Sequence, residues 1–509
     1  MNPIWCIFLS SRKKHGAFHP HPADEKGETM STPIRFLLND QEILTIEPPG
    51  LLVLDFLRHR MRLMGTKEGC KEGDCGACTV LVGELQGDHV HYRPVTSCLM
   101  PVAELHGKHL VTVEGLNLEH LSAVQEAIVE EGATQCGFCT PGIVVSLTGQ
   151  LLRKGPAMTA EDIKYALSGH LCRCTGYNSL KRAGQRICRL AAQLQPNGKQ
   201  NGDYIDQLIR MGQLPPHFRE APEKLRRIPP PRPARRKSEE TPPIFVAGGT
   251  DIYVQRGQEI PHLPVEVLNL HPEMRGITRR KGKIHLGALT TFEEFADHPL
   301  IRRLIPEMPD FMHLNASWQI RNRATLGGNI INASPIGDMT IFLLAQDAVL
   351  VLKEGRRRRT VPMREFYLGY KTLAKEPQEI LTEIIFPEPT SATRINFEKV
   401  SKRKYLDIAS VNSAIRIVAP DGVIEEVHLS LGGVAPVPLY LRETVAFLTG
   451  QPLTPETIRR ALSLVQEEIS PISDIRGSAE YKRLLARQLV LAHFVKLFPE
   501  RISVEEVIS

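Results

Sequence analysis

The sequence predicts an α+β chain of several domains, and three observations carry the prediction. Its 509 residues suffice for roughly three or four domains of ordinary size. Eight of the ten cysteines fall into two groups, one among strand-like segments and one among helix-like segments. After a proline-rich stretch, residues 243–500 resume with strands, paired glycines and long helical spacing. Composition is that of ordinary globular proteins, 42% hydrophobic and 24% charged. No apolar run approaches the roughly 20 residues that span a bilayer. The formal charge of +6 is small for this length, and "GRRRRT" (355–360) reads as a hairpin tip rather than a nucleic-acid surface.

At the N-terminus the apolar stretch is short and its basic residues follow it, the reverse of a secretory signal. Residues 1–32 are expected to be a disordered extension, with Met30 as an alternative first residue. Without a signal or span the expected compartment is the cytoplasm. Thiols stay reduced there, so clustered cysteines suggest metal or catalysis rather than disulfides.

The first cysteine group lies in "GCKEGDCGACTV" (69–80) plus "TSC" (96–98): Cys70, Cys75, Cys78 and Cys98. C-x4-C-x2-C with a distant fourth cysteine is the plant-type [2Fe–2S] spacing. It does not fit the two C-x2-4-C pairs usual for zinc. A loop wrapping a cluster needs tight turns and amides aimed at sulfur, which Gly69, Gly73 and Gly76 permit. Cys98 follows a strand pair, "CTVLVGEL" and "HVHYRPVT".

The second group lies in "QCGFCTPG" (135–142) and "HLCRCTGY" (170–177): Cys136, Cys139, Cys172 and Cys174. Alone, C-x2-C with C-x-C is open to zinc, a redox dithiol or a cluster; a closed four-thiolate site suits zinc or iron–sulfur. Around it four helices are expected. Segment 122–132 opens with a Ser-x-x-Gln capping box, and 140–154 has Thr140 as N-cap and Pro141 at the first helical position. Segment 159–169 pairs Thr159 with Asp162 and stops at Gly169, and 179–194 is again helical. Both loops abut helix ends, whose free amides stabilise negative charge. The expected unit is a four-helix bundle holding a second [2Fe–2S] cluster. Arg173 either offsets that charge or faces solvent. Cys188 reads as a core thiol.

"GTKEGCKEGDCGACTVLVGEL", "QCGFCTPGIVVS" and "LSGHLCRCTGYNSL" together resemble the paired [2Fe–2S] domains of the molybdenum hydroxylases, the xanthine dehydrogenase and aldehyde oxidase family. The resemblance implies a β-grasp ferredoxin domain over 33–108 and a helical cluster-binding domain over 109–194.

Residues 195–240, rich in proline and charge, read as an extended linker with a short helix open at "DYIDQLIRMG". Then "PIFVAGGTDIYVQ" (243–255) runs from a strand into Gly248-Gly249 and a helix. That is either a plain strand–turn or a loop whose amides approach phosphate. No G-x-G-x-x-G fingerprint supports a Rossmann site. A second paired-glycine segment, "RNRATLGGNIINASPIGDM" (321–339), would let two loops hold a long dinucleotide.

"FVAGGTDI" and "ATLGGNIINASPIGD" are similar to the two FAD loops of the same family, whose flavin domain is of the vanillyl-alcohol-oxidase (PCMH) type. The resemblance implies an FAD-binding domain over 241–392 and an α+β flavoprotein C-terminal domain over 393–505. It places Phe245, Val246, Ala247, Gly248, Gly249, Thr250, Asp251 and Ile252 on the pyrophosphate and adenine side. It puts Ala324, Gly328, Asn329, Ser334 and Asp338 on the other loop, with Leu381 and Lys399 near the flavin. Two features depart from animal members: "SKRKYLD" (401–407) is more basic and one residue longer, and Asn315 stands where they carry an aromatic residue.

The chain is expected to carry no molybdopterin domain of its own, and the fusion of two clusters with FAD resembles the small subunit of bacterial xanthine dehydrogenase. The implied partner is a large molybdopterin-binding subunit in a heterotetramer, with no nucleic acid or membrane. Electrons from xanthine or hypoxanthine oxidation would pass through the Cys136 group, the Cys70 group and FAD to NAD+. The alternatives are the equivalent subunit of an aldehyde or N-heterocycle hydroxylase, and a free-standing iron–sulfur flavoprotein carrier or redox sensor.

Overall fold

The run TVLVGELQ (79–86) is apolar at odd and even positions alike, so a strand made of it must be covered on both faces. The computed structural model, which describes residues 33–195, 204–230, 243–403 and 405–508, shows how. Strands β1 (Ile34–Leu38), β2 (Gln41–Thr45), β3 (Thr79–Gln86), β4 (His89–Thr96) and β5 (His109–Val111) form one sheet in the order β2-β1-β5-β3-β4. β1 and β5 run parallel and the other pairs antiparallel. Val80, Val82 and Val95 join a core with Phe36 and Phe56, the latter from the helical turns over 53–60. Leu81, Val90 and Tyr92 instead join the core of the helical segment. One sheet therefore serves two cores. The expected extension, 1–32, lies outside the described residues.

The helical segment comprises α1 (Ala123–Glu130), α2 (Thr140–Lys154), α3 (Ala160–Leu167) and α4 (Asn178–Ala191). The capping boxes of Ser122 with Gln125 and of Thr159 with Asp162 form as the sequence indicates. The start of α2 differs by one residue: Cys139 is the N-cap, and the Thr140 hydroxyl pairs with Thr134 Oγ1 at 2.7 Å instead of capping. Pro141 still occupies the first turn, where its missing donor costs nothing. α2 is buried from Thr140 to Leu152. It packs on β3 through Gly149, where a Cβ would meet Leu81 Cδ2 at 2.9 Å.

The stretch read as an extended linker is folded where described. α5 (Tyr204–Arg210) and α6 (His217–Arg226) bury Leu208, Phe218, Ala221 and Leu225 in the helical core. Phe218 tilts on Tyr92 at 4.9 Å, and His217 meets His109 edge-on at 5.5 Å. Proline and charge masked the signal: residues 218, 221, 225 and 228 are apolar at helical spacing.

β6 (Ile244–Val246) pairs in parallel with β7 (Val265–Val267), and between them lie the glycine loop and α7 (Ile252–Arg256). This piece shares a core with Leu52, Leu54, Cys78, Cys98 and Leu99. Residues 33–270 with Ser317–Asn322 make one compact unit, and residues 271–316 with those from Arg323 onward make another.

In the second unit, β8 (Ile277–Arg280), β9 (Lys283–Gly287), β10 (Val349–Glu354), β11 (Arg357–Pro362) and β12 (Ile380–Pro387) form an antiparallel sheet in the order β11-β10-β12-β9-β8. The arginine run tips the β10–β11 hairpin. Arg358 pairs with Glu383 at 2.7 Å and Arg359 with Glu379 at 2.6 Å, so those cations face their own sheet. The second glycine pair, read from the sequence as a loop, is helical: Gly327 and Gly328 lie in the first turn of α8 (Leu326–Asn332), capped by Thr325, and α9 (Asp338–Ala345) follows. A further sheet of β13 (Thr393–Val400), β14 (Val411–Val418), β15 (Glu426–Gly432) and β16 (Leu439–Tyr440) is antiparallel throughout. α10 (Pro455–Glu468) and α11 (Ala479–Leu497) share a core with it.

Candidate functional site

The first cysteine loop turns on two glycines with positive φ, Gly73 (82°) and Gly76 (68°). It brings its four sulfurs together as two pairs. The thiols of Cys70 and Cys75 lie close enough to act on one another, as do those of Cys78 and Cys98. The interaction with Cys75 holds Cys70 down to about 5, while Cys75 is pushed up. Cys78 is lowered by its interaction with Cys98, and Cys98 is raised in turn. Backbone amides add to this. Those of Glu72, Asp74 and Cys75 address the Cys70 sulfur, that of Ala77 addresses Cys75, and that of Gly73 addresses Cys98. Gly69 has no side chain because a Cβ would stand 2.7 Å from Cys75 Sγ.

The second site joins the loop before α2 to the loop before α4. Cys139 hydrogen-bonds Cys172, with Cys136 near enough to act on Cys139 electrostatically. Burial pushes Cys139 up to about 12. Burial also raises Cys172, but bonds from Thr175, whose hydroxyl lies 3.1 Å from its sulfur, and from Cys139 and backbone amides outweigh it, and the net shift is downward. The C-x-C loop is clamped by Tyr177: its hydroxyl accepts from the Cys172 amide and donates to the His170 carbonyl, each at 2.8 Å. Cys136, Cys174 and Arg173 are exposed, so Arg173 faces solvent. Cys188 is half-buried beside the bundle core, and burial raises its thiol.

Pairing distinguishes the metal each set suits. A single tetrahedral zinc draws all four sulfurs to about 3.8 Å of one another. Among the described residues, no three of these sulfurs lie mutually within 4.8 Å; the group that does is Asp55, His59 and Glu68. Lys71 already neutralises that group, 3.0 Å from Asp55 and 3.7 Å from Glu68. In the first set two close pairs suit two irons with two thiolates each, and the inward amides suit a negatively charged cluster; in the second set Cys139 and Cys172 form one such pair.

The cysteine loops touch through backbone. The amide of Leu171, next to Cys172, donates to the carbonyl of Cys75 at 3.0 Å. A Cβ at Gly142 would overlap Gly76 O, and one at Gly76 would overlap Gly169 O and His170 Nδ1. The glycine loop after β6 reaches the first site directly. Gly249 (φ 75°) lies so near the Leu99 carbonyl, one residue beyond Cys98, that a Cβ would stand 2.5 Å from it. Tyr253, with its hydroxyl 3.0 Å from Gly50 O, pins α7 behind this contact. Val246, Gly248 and Gly249 are buried; Phe245, Ala247, Thr250, Asp251 and Ile252 are half-buried.

The other residues assigned to FAD lie in the second unit. Gly328, Asn329, Ser334 and Asp338 are half-buried. Gly328 N donates to Thr325 Oγ1 at 3.1 Å, capping α8, and Asn329 Oδ1 accepts from Thr340 N at 2.9 Å, which ties α8 to α9. Lys399 Nζ donates to Asp338 Oδ2 at 2.7 Å and to the carbonyls of Leu314 and Asp407 at 2.8 Å. Its three protons are used, so it ties the 401–407 segment to Asp338 rather than presenting a free cation. Ala324 and Leu381 are buried; the Ala324 carbonyl accepts from Phe292 N at 2.9 Å, and Leu381 pairs with Leu352 in the sheet. Asn315 is buried too, and its Nδ2 donates to Phe311 O at 2.8 Å.

Four family models match the chain in succession. They are a 2Fe-2S iron–sulfur cluster binding domain over 36–103 and a [2Fe-2S] binding domain over 112–185. An FAD binding domain in molybdopterin dehydrogenase follows over 235–389, and a CO dehydrogenase flavoprotein C-terminal domain over 397–497.

The chain is homologous to the iron–sulfur and flavin part of the molybdenum hydroxylases.

Xanthine dehydrogenase of Drosophila subobscura is 31% identical over 92% of this chain and 40% of that protein. Aldehyde oxidase 1 of Bos taurus is 29% identical over 88% of this chain and 38% of that protein. The chain thus spans about 40% of the curated relatives it matches. A structure of carbon monoxide dehydrogenase from Hydrogenophaga pseudoflava aligns at 29% identity over 48% of this chain and 86% of its own, with a TM-score of 0.46. The multidomain α+β fold read from the sequence, with two iron–sulfur domains and an FAD-binding domain, agrees with the matched models. No helix among the described residues is long and apolar enough to cross a membrane. Sequence reasoning missed Tyr177, His170 and Gln319, although the first two sit inside a quoted motif.

Proposed function

We propose that this chain is the electron-transfer subunit of a molybdenum hydroxylase acting on xanthine or hypoxanthine, with the molybdopterin on a partner chain and NAD+ as acceptor. In this reading Cys70, Cys75, Cys78 and Cys98 hold one [2Fe–2S] cluster, and Cys136, Cys139, Cys172 and Cys174 hold the other. FAD is assigned to residues of the 245–252 segment and, in the second unit, to residues of the 324–338 segment. The clusters, when bound, exchange single electrons and the flavin one or two, which joins one-electron to two-electron chemistry.

One observation supports the reading: the two cysteine loops and the 245–252 loop are chained by backbone contact. Leu171 N meets Cys75 O at 3.0 Å, and Gly249 packs on Leu99 beside Cys98. The protein's part is to fix these separations, exclude water and aim amides at the sulfurs. Cys136 and Cys174 are exposed, which suits the second site to receive electrons from a partner. The assembly is read as a heterotetramer of two small and two large chains in the cytoplasm. The xanthine dehydrogenase match supports the purine substrate, and the aldehyde oxidase match keeps aldehydes as the second reading.

The test is to purify the chain with whatever co-elutes from its host and assay xanthine-dependent NAD+ reduction. Co-elution of a larger molybdenum-containing chain with that activity is expected. Activity with aldehydes but not xanthine would move the substrate, and a lone chain reduced by NADH would make it a free-standing carrier.

A further inference from the structure

Ser317–Asn322 packs with the iron–sulfur unit although the sequence on both sides of it belongs to the second unit. Its side chains reach both cysteine loops. Gln319 is fully buried. Its Nε2 lies 2.9 Å from Ser146 Oγ on α2, 3.0 Å from Ala166 O on α3 and 3.1 Å from His170 Nε2. Ser146 Oγ is itself 2.6 Å from His170 Nε2. A Cβ at Gly169 would overlap Gln319 Oε1, so that glycine is what lets the amide in. One residue on, Ile320 fills the turn of the first loop, where a Cβ at Gly73 would stand 2.6 Å from its Cδ1. Asn322 Nδ2 donates to Pro94 O on β4 at 2.9 Å.

His170 is the hinge of this arrangement. Its ring is held from one side by Ser146 and Gln319, and its Nδ1 edge abuts Gly76 between Cys75 and Cys78. The next residue, Leu171, makes the amide bond to Cys75, and the one after it is Cys172. A side chain that fixes His170 therefore fixes the register of one cysteine loop on the other. Buried polar groups so placed specify one geometry, because any slip leaves them unpaired.

We propose that Gln319 is a positioning residue for electron exchange between the two cysteine sites, holding their loops in register through His170 while its neighbour Ile320 seats the first loop. The exchange moves one electron from the Cys136/Cys139/Cys172/Cys174 site to the Cys70/Cys75/Cys78/Cys98 site, with no bond made or broken. Its rate falls steeply with distance, so a shift in loop register changes it without altering either ligand set. The proposal rests on the assignment of both sites as clusters.

The test uses the full chain with its cofactors, reduced by dithionite, and pulsed dipolar EPR between the two reduced clusters. Wild type should give one narrow coupling; absence of two cluster signals there would overturn the cluster assignment itself. Gln319→Leu keeps the volume and removes the hydrogen bonds. It should retain its iron and flavin yet broaden the distribution of couplings by about twofold, as sites lose precision when their support is removed. Ser146→Ala, which takes away one partner of Gln319 and His170, should broaden it in the same sense. If Gln319→Leu does not retain iron, Ser146→Ala decides alone. An unchanged coupling in the variants that retain iron overturns the role given to Gln319.

Discussion

The amide nitrogen of Leu171 and the carbonyl oxygen of Cys75 lie 3.0 Å apart, which joins the two cysteine loops by a single hydrogen bond. The bond leaves from the residue before Cys172 and ends on a cysteine of the other set. Replacing Cys172 with serine should therefore empty one site and spare the other. Iron per chain should fall by about half, from about four to about two, with flavin retained and still reduced by NADH. Complete loss of iron would show that the two sites do not fill independently.

Tyr177→Phe removes the hydroxyl that accepts from the Cys172 amide and donates to the His170 carbonyl. Losing partners for two half-buried backbone groups costs about 1–3 kcal/mol. The C-x-C loop should loosen, and a chelator should strip iron from the second site faster while the first site keeps its rate.

Gly249 combines a φ of 75° with the close approach to Leu99 O. Gly249→Ala meets both penalties, roughly 1–3 kcal/mol for the backbone angle before any clash. Flavin should bind more weakly and the first cluster's EPR line shape should shift. A control at Gly282, which has a positive φ but open space around its Cβ position, should lose stability only.

Truncation of Phe218 tests the fold of the segment between the cluster and flavin domains. It is 1% exposed and packs in a tilted arrangement on Tyr92. Phe218→Ala should cost about 3–5 kcal/mol, read as a lower Tm. A change under 1 kcal/mol would return the segment to the extended linker that its prolines suggested.

Acid should undo the same packing. His109 is buried against Tyr92 and His217, and burial lowers it from 6.5 to about 3; His217 is lowered to about 4, also mainly by burial. Both are neutral in the fold and bind a proton more readily when unfolded. Stability from them is thus full above about 6.5 and is lost as pH falls toward 3. His109→Gln should flatten the acid limb by about 1.4 kcal/mol per pH unit. An unchanged slope would mean that His109 protonates without unfolding.

What the sequence disclosed follows from the range of the interactions involved. The cysteine loops were legible because C-x4-C-x2-C and the capping residues Ser122 and Thr159 act within a few residues. The strand pair and the Gly248–Gly249 turn were legible for the same reason. Gln319 was not, since its partners Ser146 and His170 are 173 and 149 residues away. The same holds for Gly249 on Leu99 and for Phe218 on Tyr92, contacts that only the tertiary fold creates. Thr140 misled by one position because Pro141 allows the helix to begin at Thr140, with Cys139 as its cap.

The central claim is that the eight cysteines hold two two-iron clusters in series with one flavin. Metal and flavin analysis of the chain purified from its native host tests it most directly. About four irons and one FAD per chain, with no zinc, are expected. One zinc in place of either iron pair, or a chain without flavin, would contradict it.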